Sequence, residues 1–305
     1  MLANNYRLTG DRKNWLATID ESLKQEDYGL DHAYTQTEVA NRLMGEGDFQ
    51  AALPYAQAAG ESYMSLGLKA AARCREGLGD WEEAEQWVRA DAERYDQPME
   101  YFLWCVRTGH GDRKSASAAA DRWAGSVADS TDYGQMAQRL SFYLLVKESE
   151  AAREAARRML NATGEPWAGI HLALLDIERG DAAAADAAFD VVEKRGPDYK
   201  VPWSGSPRPE MVRVAGLLRR CLAAGPKAEL DLNAVEQAMI GGQYQDEIAN
   251  IDYFVARFLE LRGKGDEAEP YMERAAKGAK VDTNTLLAMQ TLRAPRAARR
   301  PPTPQ

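Results

Sequence analysis

At 305 residues the chain can bury one large core or two smaller ones, and 45% hydrophobic with 28% charged residues excludes a disordered polymer. A formal net charge of −9 argues against nucleic acid or an anionic membrane as the main partner, because both need clustered cations. No apolar run reaches the roughly 18 residues of a membrane span, and three cysteines are too few for a disulfide framework, so a reducing cytoplasm is the expected location.

Alanine supplies about a sixth of the chain, which favours helix over sheet. The dipeptide Gly-Asp begins at Gly10, Gly47, Gly79, Gly111, Gly180 and Gly265, where chance alone gives about two pairs. Gly47, Gly79 and Gly111 stand 32 apart, and Gly180 follows after 69, close to twice that period. Such a period on a helical pattern predicts stacked helical hairpins.

The first turn, Gly10-Asp11, has only nine residues before it, so its hairpin is expected to be stunted on one side. That edge, residues 1–30, is a candidate for self-association or for continuation in a longer chain. Next, Val39, Ala40 and Leu43 form an apolar stripe that stops at Gly45 and Gly47. Asp48 then caps a second helix carrying Ala51, Ala52, Tyr55, Ala56 and Ala59. Ala71 and Ala72, Gly79-Asp80, Ala84 and Val88 repeat the device, with Glu83 completing a capping box. Leu103, Gly111-Asp112, Ala116 and Ala120 repeat it again, so small residues recur five positions after the glycine, where two helices must approach closely.

A fourth hairpin, about Tyr133–Val146 and Ala151–Leu160, replaces Gly-Asp by Lys147-Glu148. The fifth turns at Gly180-Asp181. Residues 196–209 hold four prolines and break the helical pattern, with Tyr199, Val201 and Trp203 placed to pack down. The last hairpin is expected to turn at Gly265-Asp266, with Asp266 and Glu269 as a capping box, and Asp282 to cap a final helix, Thr283–Arg293. The expected organisation is therefore a repeat array over 1–195, a loop over 196–209, a second array over 210–293 and a disordered basic tail over 294–305.

The stretches LGDWEEAEQW (78–87) and EGDFQAALPYA (46–56) resemble the tetratricopeptide repeat family. The resemblance implies an all-α, right-handed α-solenoid of antiparallel hairpins whose first helices line a concave groove. It implies a non-enzymatic scaffold that binds a peptide or protein segment there through Tyr34, Thr37, Asn41, Lys69, Arg73 and Tyr101. The chain departs from the family in its 32-residue period, and Ala70, Pro98 and Phe102 stand where a carboxylate-binding set would need polar groups.

No phosphate loop, nucleotide fingerprint or nucleophile elbow occurs, so no cofactor and no catalytic residue is assigned. His32, His110 and His171 lack partners at ligand spacing, so no metal is assigned; His110 and His171 are expected to be solvated or capping. Cys74 and Cys105 read as core filler, and acids such as Glu82, Glu83, Glu85, Asp91 and Glu93 as exposed helix faces. Two further readings stay open: a structural or regulatory segment of a longer protein, and an all-helical, toroid-like carbohydrate-active enzyme. A closed ring with two facing buried carboxylates would mark the latter.

Overall fold

The computed structural model describes residues 2–27, 29–202, 204–240, 245–278 and 282–294. All regular structure among them is helical. The chain divides into two compact units, residues 1–120 and 121–305. Unit 1 holds α1 (Leu2–Thr9), α2 (Arg12–Ser22), α3 (Asp31–Gly45), α4 (Phe49–Glu61), α5 (Ser65–Leu78), α6 (Trp81–Arg94) and α7 (Pro98–Thr108). The helix α8 (Arg113–Ser126) spans the division. Unit 2 holds α9 (Tyr133–Val146), α10 (Ser149–Thr163), α11 (Pro166–Glu178), α12 (Ala182–Arg195), α13 (Pro209–Ala223), α14 (Leu232–Met239), α15 (Gln245–Leu261), α16 (Gly265–Ala276) and α17 (Thr283–Arg293). From α3 to α7, and again from α9 to α13, each helix packs on the next, as a solenoid requires.

The turn device is visible atom by atom. Gly47 takes φ 81°, a left-handed conformation that costs a glycine little. The Asp48 amide then donates back to the Leu43 carbonyl at 2.9 Å, closing α3. The Asp48 carboxylate accepts from the Ala51 amide at 3.0 Å, which opens α4. Ala52, five residues after the glycine, is fully buried in the seam with Trp15, Leu43, Ala56 and Cys74. Asp11, Asp112 and Asp181 cap in the same way.

Two turns differ from the sequence expectation. Asp80 makes no capping bond: Arg75 takes its carboxylate at 3.0 Å and that of Glu83 at 2.6 Å, so no capping box forms. The last hairpin turns at Gly263 (φ 74°), not at Gly265. Lys264 is the N-cap, Gly265 and Asp266 lie in the first turn of α16, and no side chain caps it. Ala268, fully five residues after Gly263, is buried like its counterparts. In the fourth hairpin Lys147 itself takes φ 62°, and Ala152 fills the seam five residues later.

Unit 2 adds a closure that a simple array lacks. Tyr199 and Val201 pack down as expected, and α12 packs on α13 across the 196–209 loop. Trp203 and residues 295–305 lie outside the described residues. Asp282 caps α17 through the Thr285 amide at 2.9 Å. That helix packs on α15 and α16 and also on α9, with Ser141 Oγ and Thr283 Oγ1 2.7 Å apart. The first helices of unit 2 thus meet one another, α11 against α15 as well as against α13.

Candidate functional site

In unit 1 the 32-residue register places equivalent positions side by side, because α3 packs against α5. Tyr34 and Leu66 are such a pair, each 54% exposed at the start of its helix. At the same end lie Tyr63, 51% exposed, and Tyr95, 40% exposed, also 32 apart. Exposed apolar side chains gathered in this way mark contact surfaces more than those scattered singly.

Tyr63 is unusual in a second respect. Its φ is 56°, a left-handed conformation that a bulky side chain rarely adopts. The α4–α5 junction holds it there. The Tyr63 amide donates to the Gly60 carbonyl at 2.9 Å. The Tyr95 hydroxyl donates to the Tyr63 carbonyl at 2.9 Å and accepts from the Ser65 amide at 3.1 Å. The Arg94 guanidinium lies 5.5 Å from the Tyr63 ring centre. Strain of order 1 kcal/mol at an exposed aromatic is a pointer to use.

The six residues expected to line a groove separate into three kinds. Tyr34, Asn41 and Arg73 are exposed, and Arg73 makes no ion pair among the described residues. Lys69 lies between Asp91 at 3.6 Å and Glu100 at 3.5 Å. Thr37 and Tyr101 point inward. Thr37 is buried with its hydroxyl unpaired. The Tyr101 hydroxyl bonds Glu85 and accepts from Arg89 at 2.8 Å and from the Asp112 amide at 2.9 Å, so it braces the α6–α8 corner. Burial, then the Glu85 contact, pushes its phenol far above the ordinary range. Asp91 is also buried rather than on an exposed face. Tyr63, Leu66 and Tyr95 were not foreseen, although their spacing in the sequence is the repeat period.

Unit 2 buries a cluster of polar groups near the N-terminal ends of its first helices. Glu165, fully buried, is the N-cap of α11; it accepts from the Trp167 amide at 3.2 Å and the Tyr133 hydroxyl at 2.8 Å. Arg208 stands 3.6 Å from Glu165 and 3.9 Å from Glu247. Burial and the Glu165 charge hold the phenols of Tyr133 and Tyr199 well above their ordinary range. Further in, Asn284 Oδ1 lies 2.8 Å from His171 Nε2 and 3.3 Å from Trp167 Nε1. His171 is thus neither solvated nor capping: it is buried, edge-on to Trp167 and Phe254, and burial lowers its pKa to about 4. His110 stacks on Trp81 at 4.1 Å.

No group of three or more His, Cys, Asp or Glu among the described residues has the arrangement of a metal site. The three cysteines are free and buried. No described helix is long and apolar enough to cross a membrane. No protein-family model matches the chain, and no curated protein matches it. The class defined by the described residues is therefore an all-helical protein of consecutively packed hairpins.

Proposed function

We propose that the chain is a non-enzymatic interaction scaffold of the tetratricopeptide-like class. It holds a protein or peptide segment against the first-helix face of unit 1, in the cytoplasm. The observation that carries this reading is Tyr63, an aromatic residue kept exposed in a left-handed conformation beside Tyr34, Leu66 and Tyr95. Asn41 and Arg73, two helical turns along from Tyr34 and Leu66, supply polar contacts to the same segment, and Lys69 is part of the rim. Rigid hairpins lower the cost of ordering a bound partner.

A second reading draws on the Glu165–Arg208–Glu247 cluster, since a ring with facing carboxylates suits an all-helical hydrolase. The guanidinium between the two acids, and the use of Glu165 as a helix cap, favour a structural role instead.

The test is Tyr63→Gly. Glycine accepts the left-handed backbone without strain, so stability should change by less than about 1 kcal/mol. Partner capture, read by a photo-crosslinker at position 66, should nonetheless fall at least tenfold. Undiminished crosslinking by this variant would remove the proposed surface.

A further inference from the structure

We infer that the aromatic edge of unit 1 takes an extended segment rich in arginine and proline. This rests on the docking surface proposed above and adds the chemistry of what docks there.

Charge gives the first reason. At this edge residues 61–69 and 91–100 touch through Lys69–Asp91 and Ser65–Tyr95, and residues 30–34 begin α3, which packs on α5. These stretches carry six carboxylates, Asp31, Glu61, Asp91, Glu93, Asp96 and Glu100, against two cations, Lys69 and Arg94. Lys69 is engaged by Asp91 and Glu100. Asp31, Glu93 and Asp96 are exposed and make no ion pair among the described residues. An acidic segment would add to this negative excess, whereas a basic one relieves it and gains rate from electrostatic steering.

The rings give the second. Arg94 lies over the Tyr63 ring, so this edge already accepts a guanidinium plane on an aromatic face. Tyr34, Leu66 and Tyr95 offer further exposed apolar surface of the kind on which arginine planes and proline rings stack. Proline-rich segments are extended before they bind and keep their carbonyls free, so the Tyr34 hydroxyl can donate to them at little ordering cost, while the Tyr95 hydroxyl stays engaged with the Tyr63 carbonyl. The chain carries one stretch of this composition, APRAARRPPTPQ at 294–305.

The probe is a synthetic fluorescent peptide of that sequence, titrated by anisotropy into the full chain and into a chain ending at Ala294. Saturable binding to either, weakened about tenfold by Tyr63→Gly with Leu66→Ser, supports the inference. So does a several-fold loss with Glu93→Gln and Asp96→Asn, together with a shallower salt dependence. A control peptide has its three arginines replaced by glutamate. Binding of that control as tight as the original, and lost in the Tyr63 variant, overturns the basic-segment chemistry while leaving the docking surface standing. Binding of neither peptide to either chain overturns the inference, and the crosslinking experiment then judges the surface alone.

Discussion

Unit 1 and unit 2 use the same hairpin and treat polar groups in opposite ways. In unit 1 the seams are alanine against alanine, as at Ala52, Ala56 and Ala70, and most polar contacts lie at the rim. In unit 2 the interior carries Glu165, His171, Asp252 and Asn284, joined by bonds such as His171–Asn284 that span over a hundred residues of chain. Small seams leave a helix face free for a partner. Buried polar bonds between distant helices instead fix which helices meet, since each must find its partner or cost free energy. The contrast teaches where binding and where architecture reside.

Several substitutions break or sharpen that contrast. The largest effect is expected for Phe254→Ala in unit 2, where a fully buried ring packed against His171 is lost. Denaturant unfolding should show a loss of about 3–5 kcal/mol. Acid should come next. Unfolded, His171 titrates near the ordinary imidazole value of 6.5; folded, its pKa is about 4, lowered by burial. The unfolded chain therefore binds the proton first as pH falls. The contribution is complete above pH 6.5 and shrinks by about 3 kcal/mol down to pH 4. His171→Leu should be less stable at pH 7 yet show a flatter loss below 6.5.

In unit 1, Ala52→Leu should force the α3–α4 seam apart and cost about 1–3 kcal/mol without altering the acid response. The smallest effect is a gain. Lys147→Gly relieves a non-glycine residue held in left-handed geometry at the α9–α10 turn, and chemical denaturation should register about 0.5–1 kcal/mol of stabilisation.

The hairpins were legible because their signals are local. A glycine at a left-handed position, an acid after it and a small residue five positions on reflect backbone and neighbour sterics alone. The same locality explains the misplaced final turn. Gly263-Lys264-Gly265-Asp266 offers two glycines, and the familiar dipeptide drew the assignment to the second, although Ala268 fits only the first. The capping box at Asp80 failed because Arg75, one turn earlier, competes for both acids. The buried state of His171 and Asp91 depends on helices remote in sequence, which helical periodicity does not report. Of the six residues expected to line a groove, Tyr34, Asn41 and Arg73 are exposed. Tyr101 was misjudged because its hydroxyl is claimed by Glu85 and the Asp112 amide, contacts made across a turn.

The most direct measurement is amide hydrogen exchange on the full chain with and without the bound segment. Slowed exchange confined to residues 30–41, 60–73 and 91–100, with 165–176 unchanged, is the expected result. Protection centred on 165–176, with the Tyr63 and Tyr95 stretches unaffected, would contradict it.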